Sequence, residues 1–205
     1  MAEVGRIEKP SAERYEGKRK LYCVANVYLL KDSPEDYKEL VGRYWKEAAG
    51  QVEKLEMAGT VGKIFCESIH AQGAEALEAL AGINEPAHVM VKERVERGAA
   101  LFPVEKEEIF GPFLDWANCL SVVRTQEVFA KVYGFYTELA NERLKHILEV
   151  IEENLSEGET GLLLMRDEDR VQLQFPPDIE VFLVTPPSYD DILRWFREKM
   201  KGGNP

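Results

Sequence analysis

Three cysteines and three histidines in 205 residues leave little material for thiol or metal chemistry. Cys23, Cys66 and Cys119 are odd in number and far apart, which excludes a disulfide framework and a Cys-x-x-Cys motif. A reducing cytoplasm is the expected compartment. Basic charge is also short: 26 Lys and Arg against 37 Asp and Glu give a net charge of -11, which argues against general nucleic-acid binding through bulk charge. No apolar run approaches the roughly 18 residues of a membrane span; the best candidate, Leu21 to Leu30, has the length of a buried strand. Met1 to Pro10 lacks the apolar centre of a signal peptide. The glycine patterns that cradle phosphates and the Gly-x-Ser-x-Gly elbow are missing too. The sequence therefore predicts no cofactor.

What is present is a foldable chain: apolar residues make up 45% of it, enough for a substantial core. Charge, Gly5, Pro10 and Gly17 mark 1–18 as a loose arm before a single domain over 19–205, with a subdivision allowed near 98–112. Leu21 to Leu30 is almost continuously apolar and reads as a central strand, with Asn26 its one interior polar interruption. Ser33-Pro34-Glu35-Asp36 signals a helix start. Tyr37, Leu40, Val41, Tyr44, Trp45, Ala48, Val52 and Leu55 then recur at helical spacing up to Gly59. Val61 to Cys66 is a second strand, and the connection between the two favours a parallel pair.

Ala74 to Leu80 predicts a short helix, 84–112 short elements and loops, and Phe113 to Val123 an apolar helix. A long helix follows from Thr125 to about Leu155. Gly161 to Met165, the alternating Val171 to Phe175 and the apolar Ile179 to Val184 read as three strands, two of them forming a hairpin joined to the sheet. Ser188 to Asp191 caps a last helix carrying Ile192, Leu193, Phe196 and Met200. The sum is an α/β protein with a layered mixed sheet and long amphipathic helices.

Few polar residues stand out against this background. On the long helix, 100° per residue puts Arg143 inside the apolar arc of Phe129, Val132, Tyr136, Ile147 and Ile151. A guanidinium there needs a carboxylate partner or a ligand. Glu138, Glu142, His146 and Glu149 form a column on the polar flank and read as a solvated face. Glu67 and His70 make a Glu-x-x-His unit just past the second strand. They are weak metal-ligand candidates without a second such unit. Glu67 also sits where open parallel sheets bind ligands. Asn26, Glu67 and Arg143 are the candidate ligand-binding residues, and Glu67 and Arg143 the candidate catalytic ones. Asp167, Glu168 and Asp169 are oxygen donors in a turn, expected to be solvated, and Cys66, next to Glu67, is a core thiol.

Leu21 to Leu30, Val61 to Glu67, and Asn141-Glu-Arg143 followed by Ile147, Ile151 and Gly161 to Met165 resemble the opening strand, acid-ended strand, late helix and late strand of the TraB/Tiki and erythromycin-esterase-like superfamily. That resemblance implies a scaffold built for metal-dependent hydrolysis with two histidines. The corresponding places here hold Ala25-Asn26-Val27-Tyr28 and Arg166-Asp167-Glu168-Asp169, so the resemblance implies a shared scaffold with altered or lost chemistry. The expected function is binding of a small ligand or a protein partner without catalysis. The competing expectation is a metal-dependent hydrolase-like enzyme around Glu67 and Arg143. A homodimer, through exposed helix faces and the wet side of 171–175, is compatible with both.

Overall fold

The computed structural model describes residues 17–29 and 32–202; the expected arm, apart from Gly17 and Lys18, lies outside them. The apolar runs form strands β1 (Arg19–Ala25), β2 (Lys63–Cys66), β3 (Ala100–Pro103), β4 (Thr160–Met165) and β5 (Ile179–Val184). The helices are α1 (Glu35–Leu55), α2 (Ala74–Ile83), α3 (Glu85–Glu96), α4 (Glu107–Val122), α5 (Gln126–Asn154), α6 (Asp167–Arg170) and α7 (Pro187–Gly202). The strands align in the order β3-β2-β4-β1-β5, and every pairing is parallel, so the sheet is not the mixed one expected. Central β1 and β4 are buried on both faces, which explains their unbroken apolar sequences.

Alternate residues of β1 feed two cores, as the period of two requires. Tyr22 and Val24 join Ile64, Leu162 and Leu164 under α1, α2, α3 and α7. Leu21 and Cys23 join Phe65, Leu163, Ile147, Ile151 and Leu155 under α5. The result is a three-layer α/β fold. Gly161 lies in register with Leu21 and Lys63. A Cβ there would stand 3.0 Å from both the Leu21 and the Phe65 side chains, so the close approach of β4 to its neighbours depends on glycine.

Three aromatic side chains of α1 tie down the chain that leaves β1. The Tyr44 hydroxyl donates to the carbonyl of Ala25 at 2.6 Å, Trp45 Nε1 to that of Val27 at 3.1 Å, and the Tyr37 hydroxyl to that of Tyr28 at 3.1 Å. Carbonyls beyond the end of the strand would otherwise lack partners in a buried place. Regular strand stops at Ala25 for this reason, and does not run to Leu30 as the apolar pattern suggested.

Four other expectations are corrected. Val171 to Phe175 is not a strand, and there is no hairpin between β4 and β5. The two strands are parallel and separated by β1, so they need a crossover. Leu173 and Phe175 still point inward, onto the α5-side core, while Gln172 and Gln174 face out. Val171 and Gln172 belong to the turn that closes α6, so the alternating letters do not mark a strand. Region 84–112 holds a full helix, α3, with Asn84 as its N-cap and Pro86 harmless in the first turn, then edge strand β3, which ends on Pro103. Pro112 lies inside α4. Although β1 and β2 are parallel as expected, β4 is inserted between them. Ser188 does not cap α7; its backbone N–H and its hydroxyl both donate to Glu47 of α1, at 3.2 and 2.6 Å, clamping the two helices together.

Candidate functional site: a cavity at the switch point of the sheet

β1 and β4 are neighbours, but the chain leaves them on opposite faces. From β1 it enters α1 on one side; from β4 it passes through α6 and the segment bearing Leu173 and Phe175 on the other. Such a reversal opens a crevice at the carboxyl ends of the strands. A cavity of about 560 Å³ lies there, within the usual range for small-molecule sites. Its walls include Tyr28, Tyr37, Arg166, Tyr189, Trp195 and Phe196. The rings of Tyr37, Trp195 and Phe196 touch one another, with centroids 4.7, 5.3 and 5.2 Å apart. Trp195 is oriented by the hydrogen bond from its Nε1 to Asp36, 2.8 Å.

Beneath one wall of the cavity is a buried polar cluster, and here the structure brings Asn26, Glu67 and Arg143 together. Glu67 Oε1 accepts from the backbone N–H of Arg166 at 2.8 Å, the Tyr28 hydroxyl at 3.2 Å and Asn26 Nδ2 at 3.3 Å. Asn26 Oδ1 accepts in turn from Asn84 at 2.8 Å. Arg143 reaches up from α5 and gives Glu105 the better share of its guanidinium, with bonds of 2.6 to 3.1 Å. Asp169 receives a bond of 2.7 Å, and Glu67 Oε2 a long one of 3.4 Å. The guanidinium lies over the rings of Phe110 and Phe113, 5.5 and 5.1 Å from their centroids, a favourable placement for a desolvated cation. Ser68 adopts φ 64°, a left-handed conformation uncommon outside glycine. Its N–H bonds Glu105 at 3.0 Å.

Burial decides the electrostatics. Glu67 is 1% exposed and Arg143 2%. Desolvation pushes the Glu67 carboxyl up to about 7, against the opposing pull of Arg143 and then Arg166. With Arg143 engaged by Glu105 and Asp169, Glu67 is the acid least compensated. Burial alone would lower the Arg143 guanidinium, but Glu105, Glu67 and Asp169 outweigh it and raise its pKa. Burial raises the Cys66 thiol, with Glu67 and Glu105 adding to the effect, which leaves it a core thiol.

The other candidates are elsewhere. His70 is exposed and takes no part in the cluster's hydrogen bonds or ion pairs, so the Glu-x-x-His spacing brings no second ligand to Glu67. A chain past the end of a strand does not keep helical geometry. Among the described residues no group of three or more His, Cys, Asp and Glu side chains is arranged to hold a metal ion. Glu138, Glu142 and Glu149 are exposed on α5, with His146 half-buried beside them. The acids after β4 are not uniformly solvated. Asp169 pairs with Arg143 and Arg166, and Asp167 with Arg170 at 2.6 Å.

Glu105, Tyr28, Asn84 and the α7 aromatics are site residues that sequence reasoning missed. Asn84 carried a signal, Asn-Glu-Pro at a helix start, whereas Glu105 is one acid in an acidic run after a strand too short to read. No family model, curated protein or solved structure matches the chain.

Proposed function

We propose that this protein binds a small, largely apolar molecule in the cavity between the carboxyl ends of β1 and β4 and carries out no chemistry on it. One observation carries the reading: an aromatic-walled cavity of about 560 Å³ at the switch point, with its polar floor held by hydrogen bonds that need no ligand. A hydrolase-like reading around Glu67 and Arg143 has less support, because both groups are buried and committed to protein partners. Any kinship with the TraB/Tiki-like superfamily is, on this view, one of scaffold. Leu193 lines the cavity and is partly exposed, so Leu193→Trp should fill it at small cost to stability. A neutral solvatochromic dye such as Nile red should brighten with the parent protein and at least tenfold less with the variant. Equal brightening would overturn the reading.

A second reading, self-association, rests on α5. Over Gln126 to Asn141 the charged residues are Glu127, Lys131 and Glu138, which fall on an arc of about 40° at 100° per residue. The remaining surface includes Phe129, Tyr133 and Phe135, all exposed, and α4 covers only part of it through the Phe113–Tyr136 and Trp116–Phe135 stacks. The occupant that fits is a second copy, since two chains of charge -11 repel each other least across a face that carries few acids. Light scattering at tens of micromolar should give a dimer, and Tyr133→Glu a monomer. A monomeric parent would exclude this contact.

A further inference from the structure

The charges around the cavity select what enters it. Of those nearby, Arg166 is engaged by Asp169 at 2.8 Å and faces Glu67 at 3.9 Å. Asp167 is matched by Arg170, and Asp36 by Lys199 at 3.6 Å. Asp32 and Glu168, which also line the cavity, have no ion-pair or side-chain hydrogen-bond partner among the described residues. The lining therefore holds two carboxylates with no matching cation among the described residues, beside a cluster of aromatic rings. Within that cluster the Lys199 ammonium already stands 5.2 Å from the Trp195 centroid. The ring faces, with their negative quadrupole, favour a cation there, and a carboxylate at the rim adds to the attraction.

We propose that the cavity selects an organic cation: an alkyl- or arylammonium whose apolar part lies among Tyr37, Trp195 and Phe196 and whose charge faces Asp32 and Glu168. This rests on the reading of the cavity as a small-molecule site and adds the ligand's chemical class. Anionic ligands are disfavoured by the same two acids and by the chain's charge of -11. Arg166 shares its charge with Asp169 and Glu67, which reduces what it offers such ligands. Part of the attraction is between groups near solvent, so affinity should fall as salt is raised.

Three probes with one tail and three heads separate the possibilities: hexyltrimethylammonium, 1-hexanol and hexanoate, titrated calorimetrically into the full chain. The ammonium should bind at least tenfold more tightly than the alcohol, and hexanoate more weakly than either. The double variant Asp32→Asn, Glu168→Gln should bring the ammonium to the affinity of the alcohol. Both changes are at exposed positions, so folding is not at stake. If hexanoate matched the ammonium, or the double variant kept the full preference, cation selection would be wrong. Should all three bind alike and all be lost in Leu193→Trp, the cavity reading would survive and only this inference would fail. If none bound, or if Leu193→Trp left binding intact, both would fail.

Discussion

Arg143→Met should destabilise the protein by about 3–5 kcal/mol at neutral pH, the range for removing one partner of a buried ion pair. For a chain of this size that is a fall in melting temperature of roughly 6–20 °C. The variant keeps an apolar stem beside Phe110 and Phe113 but leaves Glu67 and Glu105 buried with no cation reaching both. Lowering the pH should restore part of the loss, because a protonated carboxyl needs no counter-charge. Adding Glu67→Gln and Glu105→Gln to the same protein should restore more, since replacing a whole buried cluster costs less than breaking it. Melting curves at pH 5 and 8 for the three proteins check this. A single variant as stable as its parent at pH 8 would mean that the cluster contributes nothing net.

The second large effect concerns Glu67 alone. Its carboxyl titrates near 7 in the folded protein against an ordinary value of 4.5, so the native state holds its proton more tightly than the unfolded chain does. The stabilisation is complete below about 4.5 and is lost as the pH rises towards 7. Glu67→Gln fixes the uncharged form and can keep the acceptor oxygen used by Asn26, Tyr28 and Arg166. Parent and variant should melt together near pH 4. By pH 8 the variant should lead by an amount on the order of 3 kcal/mol, because each pH unit between the unfolded and folded values is worth about 1.4 kcal/mol. Comparing the two cancels the titration of carboxylates they share. Parallel curves across the range would show that folding does not raise the Glu67 pKa.

How much of this was legible in the sequence depended on how each residue is used. The periodicity of α1 and α5 and the apolar runs of β1, β2, β4 and β5 are direct products of burial, and they were readable. In α3 the buried positions Ala87, Met90, Val91 and Arg94 follow helical spacing, but Pro86 and an arginine on the inner face concealed it. That arginine is paired with Glu56 at 2.9 Å, a residue 38 positions away that no local pattern connects to it. At the site, Asn26, Glu67 and Arg143 were visible because each is polar where its surroundings are apolar. Trp195 and Phe196 were not, since aromatic residues on an amphipathic helix look like core until the position of the helix is known. The Val171 to Phe175 alternation misled for a related reason: Leu173 and Phe175 do face in while Val171 is exposed, and the pattern says nothing of whether a neighbouring strand exists.

The central place of β1 also bears on how the chain is made. Lys20 pairs with Thr160 on one side and Glu180 on the other, so β1 finds both its neighbours 140 or more residues later in the chain. At roughly 5–20 residues per second, the wait between position 20 and position 160 is about 7–28 s. Through that interval an apolar strand has two open edges, the arrangement most exposed to mispairing with another nascent chain. α1, with Tyr44 and Trp45 available to hold the end of β1, is the first helix made after it and shields one of its faces.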